Sequence, residues 1–136
     1  MKKVLCAFDG TEHAKIAVRE AAQIAKAHGA SLTILVINTA LGSPRSIAMY
    51  QWEPAEADRI GTDGRAVAEG SGAPSVDVVV ARARDPAGAV IHYAHEHGFD
   101  HIVTGTGEKG AVAKLVLGSV SDAIVSKAHC SVTVAR

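Results

Sequence analysis

Five short aliphatic runs, most of them separated by stretches with helical spacing, constrain this chain more than any other feature. They are KVLCAF (3–8), LTILVI (32–37), VDVVVA (76–81), HIVTG (101–105) and SVTVA (131–135). A strand that is apolar at nearly every position has to be covered on both faces, and a parallel sheet with helices above and below does this. The pattern therefore predicts an α/β chain with a covered parallel sheet.

The intervening segments carry helix punctuation. Thr11 is placed to accept the free N–H groups of a first turn, Glu12 sits against the positive end of the helix dipole, and Gly29 supplies a left-handed stop. Between them Ala14, Ala17, Val18, Ala21, Ala22 and Ala25 form an inward stripe, small enough for close approach to a sheet. A later helix has Asp85 as N-cap, Pro86 at its first position, Val90, Ile91 and Ala94 facing inward, and Gly98 as its stop. A last helix starts around Gly118-Ser119, with Val120, Ile124 and Ala128 at four-residue spacing and Lys127 near its negative end. Residues 40–75 are the least regular: LGSPRS and EGSGAPS flank a helix expected from about Pro54 to Glu69. Gly61 and Gly64 in its interior cost roughly 1 kcal/mol each against alanine, so this segment is expected to fray.

At 136 residues the chain is the size of one domain, 1–136, which buries about 70% of the surface its unfolded form exposes. Its 14 basic and 14 acidic residues cancel, so no long-range field draws it to nucleic acid or to an anionic membrane. The apolar run after Lys2 and Lys3 ends at Asp9, too short for an export signal, and no stretch approaches the ~20 apolar residues of a span. Cys6 and Cys130 lie in strand-like segments without C-x-x-C spacing and read as buried thiols. A cytoplasmic location is expected.

GTGEKG, residues 105–110, has the spacing of a dinucleotide-binding turn. Such a turn follows the first strand and needs an acidic residue about 20 positions on. This one follows the fourth, with Asp122 as its nearby downstream acid. A Walker A loop needs Lys and then Ser or Thr after its last glycine, where this chain has Ala111 and Val112. A wider window, GTGEKGAVAKLVLGSVS, fits better: Gly118-Ser119 opens a helix whose free N–H groups, with the glycine loop and the Ser119 and Ser121 hydroxyls, can face one anion. The first strand ends in Asp9, where open parallel sheets bind ligands, and its carboxylate suits a ribose hydroxyl or a phosphate-bound metal.

The segments KVLCAFDGTEHA, ASLTILVIN, RDPAGAVIHYAHEHGFDHIVTGT and LVLGSVSDAIVSKAHCSVTVAR together resemble the universal stress protein family over essentially the whole chain, the last being the most specific. The resemblance implies an open, doubly wound, five-stranded parallel sheet of order 3-2-1-4-5 with helices on both faces, and homodimers that pair their last strands, here 131–135. It further implies binding of ATP or AMP, with Mg2+ carried by the phosphates near Asp9, in a regulatory or protective stress-response module. Carried onto this chain, the family pattern falls on Ala7, Asp9, Ile37, Gly105, Gly118 and Ser119; with the glycine loop and the helix start read above, the nucleotide-binding set also takes in Thr106, Gly107, Lys109, Gly110, Val120 and Ser121. The family pattern departs at position 108, where a glycine is replaced by Glu108. A positive φ there would cost Glu roughly 1–2 kcal/mol, and a carboxylate about 5 Å from a phosphate roughly 3 kcal/mol more. Pointing to solvent, it would feel under about 1 kcal/mol. The alternative is thus a family member that dimerises without binding nucleotide.

Other chemistries find less support. AFDGT, residues 7–11, has Ala7 where a dehalogenase-type phosphatase needs its nucleophilic Asp, and ARAR ends the third strand where a receiver domain needs its acceptor Asp. No catalytic residue is assigned, and ATP hydrolysis, if any, is expected to be slow, without an arginine finger or a motif-positioned base. His92, His95, His97 and His101 are read as a solvated helix face rather than a metal site, and His13, His28 and His129 as structural or exposed. Arg82 and Arg84 read as solubilising charges; Tyr50 and Trp52 fit a pocket cover, a dimer contact or a surface position equally.

Overall fold

The computed structural model describes residues 1–107 and 117–136. In chain order the elements are β1 (Lys3–Ala7), α1 (Glu12–His28), β2 (Ser31–Leu41), β3 (Met49–Tyr50), α2 (Pro54–Gly70), β4 (Val76–Ala83), α3 (Pro86–Glu96), β5 (His101–Gly105), α4 (Ser119–Lys127) and β6 (Ser131–Ala135). Five parallel strands lie in the order β4-β2-β1-β5-β6, which is 3-2-1-4-5 when the long strands are counted along the chain. The addition is β3, two residues paired antiparallel with the far end of β2 (Ala40 with Tyr50, Leu41 with Met49).

Strand alternation divides the core in two. Val4 and Cys6 of β1 face the layer of α1 and α2, while Leu5 faces α3 and α4. The alanine stripe of α1 is buried as its spacing predicts; the Thr11 hydroxyl accepts the Ala14 N–H at 3.2 Å, and Gly29 takes the left-handed conformation with φ of 62°. Asp85 likewise caps α3 by accepting from the Gly88 N–H, with Pro86 following. Cys6 is buried and its surroundings push its thiol pKa up, while Cys130 is partly buried.

The structure corrects the reading of α2. It runs without interruption from Pro54 to Gly70, because its glycines are the residues that let it approach the sheet. A Cβ at Gly61 would stand 2.6 Å from Val78 Cγ1, and one at Gly64 would stand 2.8 Å from Phe8 Cδ2. Close packing outweighs helix propensity here. A second correction concerns His101, which is not on a solvated face. It opens β5, is 9% exposed, and holds Thr133 Oγ1 of β6 at 2.7 Å through Nε2. Its Nδ1 is buried without a partner among the described residues. Burial lowers its pKa, the nearby His28 adds to the lowering, and Asp100 opposes it. Of the helical histidines, His92 Nε2 meets Glu96 at 2.9 Å, and His95 packs on His129 with ring centres 4.6 Å apart. Among the described residues no cluster of three metal-ligating groups occurs, and no helix is long and apolar enough to cross a membrane.

Gly64→Ala is expected to destabilise the protein by about 1–3 kcal/mol through overpacking, against a propensity gain of about 1 kcal/mol. Gly70→Ala, whose Cβ would meet nothing within 4 Å, is expected to be neutral or stabilising. Urea unfolding of both variants reads the contrast. His101 supplies a pH dependence of known sign. With its folded pKa below the unfolded value of about 6.5, the unfolded chain takes the proton first. Its contribution is therefore present above about pH 6.5 and lost as pH falls towards the folded pKa. Unfolding free energies at about pH 7.5 and about pH 5.5 should differ less in His101→Gln than in the wild type.

Candidate functional site

Where α1 carries the chain from β1 to β2 on one side while β5 joins β1 on the other, the connections leave in opposite directions and the carboxyl ends of the strands part. A cavity of about 270 Å3 lies there, near the lower end of the usual range for small-molecule sites of about 300–1,000 Å3. One wall is apolar, from Ala7, Leu35, Ile37 and Val90. Thr39 and Gln51 continue it towards the rim, and the opposite end is formed by Gly105, Gly107 and the start of α4.

That end is made by two backbone pieces in contact. The Gly118 N–H donates to the Thr106 carbonyl at 2.7 Å, and the Ser121 hydroxyl donates to the Gly105 carbonyl at 2.5 Å. The approach requires glycine. A Cβ at Gly118 would lie 3.0 Å from the Gly107 oxygen, one at Gly105 3.0 Å from the His13 oxygen, and Gly107 has φ of 72°. Ser121, expected to turn its hydroxyl to an anion, is buried and uses that proton to tie α4 to β5. The groups left to face the cavity are the Ser119 hydroxyl and the N–H groups of Ser119, Val120 and Ser121. As the first residues of α4 they have no acceptor within the helix. They form a cluster of donors at the positive end of a helix dipole, suited to an anion.

Across the cavity, Asp9 follows β1. Its Oδ1 accepts from the Thr11 N–H at 3.0 Å and from the Thr11 hydroxyl at 2.7 Å. One carboxylate oxygen thus fixes the turn into α1 while Asp9 remains exposed on the cavity lining.

Of the sequence-derived residues, Ala7, Asp9, Ile37, Gly105, Gly107, Gly118, Ser119, Val120 and Ser121 line this one cavity. Thr106 does not; its carbonyl serves the contact behind the lining. Lys109 and Gly110, with the divergent Glu108, lie outside the described residues. Sequence reasoning missed Gln51, because a two-residue strand such as β3 gives no readable alternation, and Thr39, although its place two residues beyond Ile37 on the same face of β2 was a signal. It also placed His13 among structural or exposed histidines, whereas His13 lines the cavity beside Gly105. Its position in the first turn of α1, two residues after Thr11, was the available signal. Trp52, for which a pocket cover was one option, packs instead against the core under α1 and α2.

The chain matches the model of the universal stress protein family across residues 1–136. It is 34% identical to a universal stress protein of Thermus aquaticus encoded in the QAH/OAS sulfhydrylase 3' region, over 99% of this chain and 98% of that one. Among solved structures it is similar to a universal stress protein in complex with cAMP (TM-score 0.78, 21% identity, 99% of this chain and 97% of that one). It is also similar to the Archaeoglobus fulgidus universal stress protein in complex with dAMP (TM-score 0.78, 19% identity, 100% and 98% of the two chains). Two glycine-bearing pieces meeting at a sheet switch point, and full-length agreement in sequence, lead to one conclusion: the chain belongs to the universal stress protein family.

Proposed function

We propose that this protein binds an adenine nucleotide, ATP or AMP, in the switch-point cavity and acts as a dimeric regulatory or protective module of the cytoplasmic stress response. The observation that carries this reading is the convergence on one cavity of an apolar wall at Ile37 and the free N–H groups of Ser119, Val120 and Ser121. The first suits a base and the second a phosphate. Relatives of the same fold in complex with cAMP and dAMP support it.

Magnesium accompanies the phosphates in this reading. Asp9 is the carboxylate on the described lining, an oxygen donor of the kind Mg2+ takes alongside phosphates and water. The ion would screen the phosphate charge; Asp9, held by Thr11, would keep its place without rearrangement. The outer edge of β6, with Val132 and Val134 half-buried, is where two copies would pair. Hydrolysis is expected to be slow; turnover near about 1 per second would contradict a regulatory role.

Isothermal titration with ATP, ADP and AMP in the presence of Mg2+ tests the binding. Heat of binding is expected for at least one of them, and none at millimolar nucleotide would overturn the reading. Gly118→Val should weaken binding at least about tenfold, by forcing α4 away from Gly107. Restored binding in Glu108→Gly, should the wild type fail to bind, would assign the loss to that side chain and favour the dimer that binds no nucleotide.

A further inference from the structure

Residues 50–52 send alternate side chains to opposite sides of the sheet. Tyr50 pairs with Ala40 and lies under the Arg82 guanidinium, 4.5 Å from its ring centre. Trp52 packs on the core beneath α1 and α2. Gln51, between them, lies opposite Thr39, since its N–H donates to the Thr39 carbonyl at 2.9 Å. Cross-strand neighbours share a face, so Gln51 joins Thr39, Ile37 and Leu35 on the side of the cavity, which all four line.

The backbone at this point is held from behind. Asn38, 1% exposed, accepts the Trp52 N–H on Oδ1 at 2.9 Å and donates from Nδ2 to the Trp52 carbonyl at 2.8 Å. Its amide thereby continues the β2–β3 pairing by one more residue. The side-chain amide of Gln51, by contrast, makes no hydrogen bond to the described residues. It is a fixed backbone carrying an uncommitted donor and acceptor.

Thr39 lies two residues beyond Ile37, about 6.6 Å further along the strand. A planar base against Leu35 and Ile37, with its phosphate at α4, would present its outer edge to Thr39 and Gln51. A glutamine amide offers a donor and an acceptor side by side, the complement of an adenine edge where an exocyclic amino group adjoins a ring nitrogen. We infer that Gln51 is the residue that reads the base, accepting from the exocyclic amino group and donating to the adjacent ring nitrogen. The inference rests on the nucleotide reading above and assigns specificity to a residue outside the glycine motif.

The test compares AMP with purine riboside monophosphate, which keeps the ring, ribose and phosphate but lacks the amino group. Both are titrated against the wild type, Gln51→Leu and Gln51→Glu. The wild type should prefer AMP by about 2- to 12-fold, the value of the one hydrogen bond that the amino group adds. Gln51→Leu should bring the preference close to one. Gln51→Glu keeps an acceptor for the amino group but not the donor, so it should retain part of the preference while binding AMP more weakly. An undiminished preference in Gln51→Leu, or none in the wild type, would overturn the assignment while leaving nucleotide binding intact. Failure of the wild type to bind either compound would remove both readings together.

Discussion

β1 has no free side. Parallel neighbours β2 and β5 bond it along both edges, and helical layers cover both its faces, so Val4, Leu5 and Cys6 are fully buried. A strand so enclosed tolerates polar groups at its ends and nowhere else. The described polar groups that border the cavity accordingly lie at the carboxyl edge, where Asp9 follows β1 and Gly105 ends β5. The cavity is a consequence of that enclosure, because the two strands that flank the switch point continue into connections on opposite faces and leave a gap between them.

Much of this was legible in the residues. Near-continuous aliphatic strands require two covering layers, and Thr11, Gly29 and Asp85 mark helix ends by side-chain chemistry that acts within a few residues. Such local signals need no knowledge of the rest of the fold. The split between Gly105 and Gly118 was visible too, as two glycine-bearing pieces each preceding a helix or following a strand. Its internal bonding was not. Whether the Ser121 hydroxyl faces a ligand or the Gly105 carbonyl depends on where α4 sits relative to β5, which spacing along one chain cannot specify.

The misreadings share a physical origin. Gly61 and Gly64 were judged by the intrinsic cost of glycine in a helix, whereas their effect is set by Val78 and Phe8, residues distant in sequence that occupy the space a side chain would take. His101 was grouped with histidines nearby in sequence, although Gly98 ends the helix and the strand that follows carries it into the sheet. Gln51 gave no signal at all, since two residues of β3 are too few to show a period. For the two glycines and His101 a long-range contact overrode a local preference; for Gln51 there was no local preference to override.

The hydrogen bond from Gly118 to the Thr106 carbonyl joins two points of the chain twelve residues apart along the sequence numbering. It closes the connection between β5 and α4 into a ring at its base. Chain added or removed within such a ring changes its closure entropy slowly, by about 0.6 kcal/mol for each doubling of length. The hydrogen bond thus pins the end of β5 to the start of α4 where the two border the cavity, and does so through backbone atoms that any side-chain composition supplies.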